Sequence, residues 1–205
     1  MKEYRHRWQW VVTALLSLVL VVSCRPVPPA GLEPEPADNQ MVIPSDDAGE
    51  EYQPGAINAT EDLHLTGSPP EEVDIAAYRL EVAGLVDSPL SLTYEDILAY
   101  PAATEVLLLI CPGVFQDNAE WTGVPVWRLL EDAGLKAEAA KVVFHADSYT
   151  ATLPLDEINA NDSIFLAHTV NGETLPLEHG YPLRLVAKDR FGYDWVKWVE
   201  RLVVE

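Results

Sequence analysis

The sequence predicts an α+β domain, a mixed and β-rich fold with short helices. Two observations lead to this prediction: short segments with the two-residue period of strands recur along the chain, and the helix signals are few and short. Strands and helices do not alternate regularly, which favours an α+β fold over a parallel α/β sheet. The chain has 205 residues, 48% of them hydrophobic, so it is long enough to bury a core, and one globular domain is expected.

The first predicted elements are a strand and a short capped helix. Residues 78–85 alternate apolar and polar side chains, which is the pattern of a half-buried strand. Thr93 and Asp96 have the spacing of an N-terminal capping box. A helix is therefore predicted over residues 94–100, and Pro101 ends it.

A leucine-rich strand then leads to Cys111. Residues 104–110 are mostly apolar, and the Pro112-Gly113 pair directly after Cys111 predicts a sharp turn. Side chains at the end of a strand are well placed to form a site. A free cysteine is also among the most buried residue types, so this segment alone leaves both interpretations of Cys111 open.

The later part of the chain adds a helix, several strands and a hairpin. A loop comes next, and Pro125 then opens a helix that ends before Gly134. The Asn-Gly pair at 171–172 predicts a hairpin between residues 163–170 and 173–177. Further strands are predicted at residues 141–145, 149–153, 183–187 and 199–204, with a helical turn at 155–158.

The N-terminal region has the features of an exported lipoprotein. Residues 1–23 form a predicted signal peptide with a basic start, an apolar stretch and a small Ser23. Residues 21–24 resemble a bacterial lipobox, so Cys24 is the predicted lipidation site. An uncleaved membrane anchor is the alternative, although the apolar run is short for a spanning helix. Both interpretations predict an extracytoplasmic protein that is anchored to the cell membrane.

Two further regions follow the signal. Residues 24–56 are rich in Pro and Glu and lack a hydrophobic period, so they are predicted to be a disordered tether. Residues 57–205 are the predicted folded domain.

The charge balance excludes one class of partner and suggests another. The net charge is −20, which argues against binding nucleic acid through a basic face. Half of the ten lysines and arginines that follow residue 23 lie within residues 184–201. A cationic cluster in such an acidic chain suggests a bound anion.

Four residues together suggest a metal cofactor with a phosphate. If Cys24 carries lipid, Cys111 has no internal disulfide partner, and we expect it to be buried or occupied, for instance by a metal. His179, Arg184 and Lys197 are donors suited to phosphate. Taken singly, each is more commonly a surface residue. Combined with a sulfur ligand, they indicate a soft metal carried by a cofactor with a phosphate tail.

Residues 78–204 resemble the molybdopterin-binding domain of the sulfite oxidase family, which includes bacterial periplasmic methionine sulfoxide reductases. Five blocks carry the resemblance in order over nearly the whole domain. They are YRLEVAGLVDSPLSLTYEDIL, EWTGVPVWRLLEDAG, SYTATLPLDEI, FLAHTVNGETLPLEHGYPLRLV and GYDWVKWVERLVV.

The resemblance implies a sulfite oxidase-like fold, a molybdenum-molybdopterin cofactor and roles for particular residues. Cys111 stands where the family's cysteine ligates molybdenum, so it is the implied metal ligand and catalytic residue. Tyr149 borders the cofactor or only packs beside a strand, and the sequence leaves both open. The implied cofactor-binding residues are His179, Arg184, Trp195, Val196 and Lys197.

The implied function is that of a molybdopterin-dependent oxidoreductase performing two-electron oxygen-atom transfer on a small oxo-substrate. A separate electron-transfer partner is expected, since the sequence has no haem-attachment Cys-x-x-Cys-His. The sulfite oxidase branch has a Gly-Asn-Arg-Arg run after its cysteine, whereas residues 112–117 here are PGVFQD, which disfavours sulfite. His64 is the nearest polar candidate for the family's N-terminal cofactor clasp.

The alternative is a cofactor-free binding lipoprotein that retains the fold. Arg5 and Arg7 are separated by His6, unlike the twin-arginine signal with which family members usually export the loaded protein. The signal is then a degenerate member of that class, or loading happens differently, or the domain works without molybdenum. The clustered cations argue against a purely structural role.

Overall fold

The computed structural model describes residues 56–147, 149–159 and 161–205. The predicted signal peptide, the Cys24 lipidation site and all of the predicted tether except Ala56 lie outside these residues. Within the described part of the chain, no helix has the length and hydrophobicity needed to cross a membrane.

The described residues form ten strands and three short α-helices, which confirms the predicted β-rich α+β class. The strands are β1 (Leu80–Gly84), β2 (Leu90–Leu92), β3 (Ala103–Cys111), β4 (Phe115–Pro125), β5 (Lys141–Ala146), β6 (Tyr149–Pro154), β7 (Ile164–Val170), β8 (Glu173–Thr174), β9 (Arg184–Ala187) and β10 (Arg201–Val204). The α-helices are α1 (Tyr94–Leu98), α2 (Val126–Ala133) and α3 (Leu155–Asn159). Three 3₁₀ turns cover Thr60–Asp62, Leu177–His179 and Gly192–Asp194.

The strands form two sheets around one apolar core. The first sheet has the order β2-β1-β10-β5-β6, with β1 and β10 parallel. The second has the order β3-β4-β7-β8, and β9 pairs with β7 as well. Side chains from both sheets are fully buried, including Leu80, Phe144, Phe165 and Leu202. Burial of such apolar surface is the main stabilising contribution to the fold.

The helix boundaries follow the local signals in the sequence. The Thr93 hydroxyl accepts from the Asp96 amide and the Asp96 carboxylate accepts from the Thr93 amide, so the predicted capping box is confirmed. Helix α2 ends at Gly134, which has a φ of 70°. Its buried face consists of Val126, Leu129, Leu130 and Ala133.

The predicted hairpin is also confirmed. Asn171 and Gly172 have φ values of 50° and 79°, the left-handed conformations that a type I′ turn requires. The second strand is shorter than expected, because β8 ends at Thr174 and a 3₁₀ turn begins at Leu177, directly after Pro176.

The sequence predicts a loop after Cys111, and this prediction is wrong. Residues 112–114 make a tight turn, and Phe115–Pro125 is an eleven-residue strand whose residues 115–123 pair with β3. The sequence did not indicate this strand, because several of its residues are polar. Two of them, Asp117 and Asn118, are nonetheless buried, at 1% and 5% exposure.

The second sheet curls so that β3 faces the segment after β9. Glu105 on β3 and Lys188 after β9 form an ion pair of 2.5 Å, although β4 and β7 lie between their strands in hydrogen-bonding order. Strand alternation places Cys111, Phe115 and Asp117 on the same face as Glu105. This concave face is therefore where the predicted site residues can meet.

A prediction follows for Gly123, which lies at the bulge between β4 and β7. A methyl group there would overlap the carbonyl oxygen of Leu166, so we expect Gly123→Ala to lower the free energy of unfolding by about 3 kcal/mol in urea denaturation. Gly113→Ala is the control, since no atom lies within 4 Å of the added methyl, and its positive φ costs about 1 kcal/mol. Equal losses in the two variants would contradict the close approach of β4 and β7.

Candidate functional site

Cys111 lies at the rim of the concave face. It is the last residue of β3, and its carbonyl accepts a hydrogen bond of 3.0 Å from the Val114 amide, which closes the hairpin turn. The thiol is free and half-buried, whereas the neighbouring Val114 is 69% exposed. The rigid strand thus presents a sulfur atom that a ligand can reach.

A 3₁₀ turn covers one side of Cys111. A methyl group on Gly192 would lie 3.1 Å from Leu109 Cδ1 and 3.8 Å from Cys111 Cβ, so a glycine permits this close approach. The Tyr149 hydroxyl donates to the Tyr193 carbonyl at 2.5 Å and holds the turn in place. Tyr149 therefore lies beside the site, although the contact it makes is with protein backbone.

Arg184 is a buried cation on the same concave face. It begins β9, is 3% exposed, and stacks on Trp121 with 5.1 Å between its Cζ and the ring centroid. One Nη donates to the His179 carbonyl at 3.2 Å, while the buried Nε has no hydrogen-bond partner. Burial lowers the pKa of Arg184 to about 10, and the Asp117 carboxylate opposes this shift.

Lys197 and His179 are the two neighbouring donors. The Lys197 ammonium donates to the carbonyls of Thr66 and Glu178, both at 2.8 Å. Burial, followed by the charge of Arg184, lowers the pKa of Lys197 to about 8. Burial and the charges of Lys197 and Arg184 also lower the pKa of His179, which keeps its imidazole neutral at pH 7.

A glycine brings these three side chains together. Gly180 has a φ of 117°, and a methyl group on it would lie 3.1 Å from Arg184 Cβ and 3.2 Å from Lys197 Cα. This backbone conformation strongly favours glycine. The turn that carries His179 can therefore approach both cations.

The cluster fits a bound phosphate. Among the described residues, Arg184 and Lys197 make no salt bridge, although the chain is strongly acidic. Surface cations such as Lys141, Lys188 and Arg190 are each paired with a carboxylate. Buried cations are stable only when they are paired or hydrogen-bonded, so an anion that occupies this pocket supplies the missing partner.

The structure adds Asp117 and His64 to the site. Asp117 accepts from the His64 amide at 2.8 Å, and its other oxygen lies 2.7 Å from His64 Nδ1. The His64 ring stacks on Phe115, with centroids 4.6 Å apart, and Phe115 is the cross-strand partner of Cys111. The sequence singled out His64 only weakly and missed Asp117, because the two lie 53 residues apart.

Residues 56–67, which we call the N-terminal strap, lie across the candidate site. The Asn58 backbone amide donates to the Asn118 carbonyl, and the Asn58 side-chain oxygen accepts from the Asn118 backbone amide. The Asn171 side-chain amide donates to the Asn58 carbonyl. Beside His179 the strap borders a cavity of about 300 Å³. The cavity is lined by Thr60, Glu61, Leu63, Leu65, Glu173, Pro176, Glu178 and His179.

Trp195 and Val196 lie behind the cations. They are 2% and 1% exposed, and their backbone amides already donate to Gly192 and Asp194. The Trp195 indole donates to the Ala187 carbonyl at 2.8 Å. These bonds make both residues supports of the cluster, and a direct contact with the cofactor stays a prediction.

The donors around Cys111 do not form a metal site on their own. In the part of the chain that the structure describes, no group of three His, Cys, Asp or Glu side chains is placed to hold a metal ion. A cofactor that carries its own metal ligands and a phosphate would fit both the Cys111 sulfur and the buried cations.

This fold and this site define a molybdopterin-binding oxidoreductase domain. Residues 66–205 match the family model described as "Oxidoreductase molybdopterin binding domain", and the chain belongs to this family. The predicted family, fold, enzyme class and molybdenum cofactor are therefore confirmed. The family assignment favours the enzyme over a cofactor-free binding protein.

Two bacterial proteins are similar to this chain. The chain is 39% identical over 139 residues to the uncharacterized oxidoreductase YuiH of Bacillus subtilis (strain 168), covering 67% of this chain and 69% of YuiH. It is 31% identical over 144 residues to the protein-methionine-sulfoxide reductase catalytic subunit MsrP of Gluconobacter oxydans (strain 621H), covering 61% of this chain and 46% of MsrP.

A solved structure has the same fold. The crystal structure of the sulfane dehydrogenase SoxCD from Paracoccus pantotrophus superposes with a TM-score of 0.61 and 34% sequence identity. The match covers 65% of this chain and 39% of the SoxCD chain. The chain thus spans less than half the length of both SoxCD and MsrP.

The lowered pKa of Lys197 predicts how anion binding depends on pH. Lys197 is a cation below pH 8 and neutral above it, Arg184 stays charged to about pH 10, and His179 is already neutral. Sulfate remains a dianion throughout. We therefore expect the affinity of the metal-free protein for sulfate to fall about tenfold between pH 7 and pH 9 in calorimetric titrations at constant ionic strength.

Two variants separate Lys197 from the rest of the protein. Lys197→Met should weaken sulfate binding at pH 7 and abolish most of its pH dependence. Lys141→Met removes a cation of an exposed ion pair with Glu205 and should leave both unchanged. An unchanged affinity between pH 7 and pH 9 in the unaltered protein would contradict the role of the Lys197 charge.

Proposed function

We propose that Cys111 is the protein ligand of molybdenum and that His179, Arg184 and Lys197 hold the phosphate of the pterin cofactor. The observation that carries the proposal is the buried Arg184, which has an unpartnered Nε and no carboxylate partner within the described residues. Asp117 connects Cys111 with the three proposed phosphate donors. It lies on the face of Cys111, and its charge acts on all three phosphate donors.

The proposed reaction is two-electron oxygen-atom transfer on a small oxo-substrate. The bound cofactor supplies the redox and oxo chemistry, and the protein supplies position and surroundings. Cys111 fixes one coordination position from the end of a rigid strand. The Gly192 turn covers one side of that position, and the strap covers the neighbouring donors and limits the access of water.

The surroundings of Cys111 support a substrate that needs no cationic clamp. Pro112, Gly113, Val114 and Phe115 are uncharged. Arg190, which precedes the adjoining 3₁₀ turn, pairs with Glu157 at 2.7 Å and Asp194 at 3.5 Å. This arrangement disfavours sulfite, because the arginines expected of a sulfite site are absent after Cys111.

The electrons are proposed to pass to or from a separate protein. The sequence contains no Cys-x-x-Cys-His attachment site for a haem. MsrP, to which the chain is similar, is by name a catalytic subunit. A distinct redox partner is the arrangement that these two observations support.

The proposed location is the outer face of the cell membrane. Residues 1–23 would be removed as a signal peptide, lipid on Cys24 would anchor the chain, and residues 24–56 would tether the domain of residues 57–205. The sequence pattern of the first 56 residues supports this proposal. The family match begins only at residue 66, which is consistent with a separate N-terminal region.

The metal ligand can be tested by elemental analysis. Protein purified from its native host should contain about one molybdenum per chain, and Cys111→Ser should contain almost none, because the thiolate is the proposed protein ligand. In metal-free protein the Cys111 thiol should react with iodoacetamide, and the loaded protein should resist the reagent. A metal-free protein from molybdate-replete native cells would refute the proposal.

The anchor can be tested separately. Mass spectrometry of the membrane-purified protein should find a chain that begins at Cys24 and carries lipid on that residue, because the lipid is the proposed attachment. A chain that retains residues 1–23 and carries no lipid would favour an uncleaved N-terminal anchor instead.

A further inference from the structure

The indole nitrogen of Trp121 is a buried donor that the proposed site does not use. Trp121 is 1% exposed, and its Nε1 has no hydrogen-bond partner. Buried polar atoms in native proteins nearly always have a partner, so each exception requires an explanation. Among the described residues only two other buried side-chain polar atoms lack one, and these are Arg128 Nε and Arg184 Nε.

The fold gives an acceptor to every other tryptophan it describes. Trp127 donates to Asp162 at 2.6 Å, and Trp195 donates to the Ala187 carbonyl at 2.8 Å. Trp198 donates to the Leu177 carbonyl at 2.7 Å. The exception at Trp121 is therefore specific to its position.

Trp121 lies next to Arg184, one of the three proposed phosphate donors. The Arg184 guanidinium lies over the Trp121 ring at 5.1 Å, so two of the three unpartnered buried atoms belong to stacked side chains. Trp121 is on the concave face of β4 together with Phe115 and Asp117. Trp195 packs against it edge to face, with centroids 5.8 Å apart, and fixes the ring.

We propose that the Trp121 indole N–H and the Arg184 Nε–H donate together to the phosphate of the cofactor. This inference depends on the proposed phosphate role of Arg184. A neutral donor suits the pocket, because burial already lowers the pKa values of Arg184 and Lys197, and the charge of Arg184 lowers that of Lys197 further. The indole adds a hydrogen bond to the anion without adding a further buried charge.

The first test observes the indole directly. The full-length metal-free protein, labelled with ¹⁵N at its tryptophan indoles, is titrated with inorganic phosphate and with sulfate. We expect the Trp121 N–H resonance, assigned from its nuclear Overhauser contacts in the unaltered protein, to shift as the anion binds, while the Trp127 resonance stays fixed. Anion binding that leaves the Trp121 resonance unmoved would overturn the inference, and this result does not depend on the folding of any variant.

The second test compares matched tryptophan variants. Trp121→Phe keeps an aromatic side chain, although a smaller one, and removes the N–H. It should weaken phosphate binding and speed cofactor release from the loaded protein by about tenfold or more. Trp127→Phe removes the N–H that binds Asp162 and should change neither. Equal phosphate affinities in the Trp121→Phe variant and the unaltered protein would count against the indole donor.

A third variant distinguishes a failure of the proposed phosphate site from a failure of the indole donor. Arg184→Gln should lose phosphate binding, because it removes the buried charge that defines the cluster. If Arg184→Gln binds phosphate as tightly as the unaltered protein, the proposed phosphate site is wrong. If Arg184→Gln binds weakly and Trp121→Phe binds normally, only the indole assignment is wrong.

Discussion

The burial of Arg184 without an acidic partner is the constraint on which the site depends. In a chain of net charge −20, carboxylates are abundant, yet among the described residues the only charged group that favours the Arg184 cation is Asp117, which is itself engaged with His64. An unpaired buried cation is stable only when another group completes its surroundings. The aromatic rings of Trp121 and Trp195 and the carbonyl of His179 do this in part. The Arg184 Nε is left without a partner among the described residues, and we propose that the cofactor phosphate accepts from it.

The curvature of the second sheet turns separate sequence signals into one site. Cys111 ends β3 and Arg184 begins β9, and two strands separate them in hydrogen-bonding order. In a flat sheet these residues would lie far apart. The curl brings β3 against the segment after β9. A methyl group on Gly192 would lie 3.3 Å from the Ile110 carbonyl oxygen, so a glycine allows the two backbones to approach this closely. The proposed metal ligand Cys111 and the proposed phosphate donor Arg184 therefore lie on one face of the second sheet.

The strap closes the site mainly with polar contacts. His64 bonds to Asp117, Asn58 bonds to Asn118, and the Thr66 carbonyl accepts from Lys197. Leu63, at 5% exposure, is the one strap residue in the buried apolar core. Polar contacts of this kind are directional and individually modest in net energy, so they define where the strap lies while the apolar core stabilises the domain beneath it.

The sequence by itself determined the local elements, the cofactor class and most of the proposed site. The capping box of Thr93, the Asn171 turn and the helix before Gly134 depend on near neighbours, and Cys111, His179, Arg184 and Lys197 are residue types with a restricted chemistry. Only the tertiary structure decided the fate of β4 and the roles of Asp117 and Trp121. Asp117 is buried because His64, 53 residues away, covers it. Trp121 is notable because acceptors available to the other described tryptophans are absent around it. Both properties depend on atoms distant in sequence, which periodicity and composition do not encode.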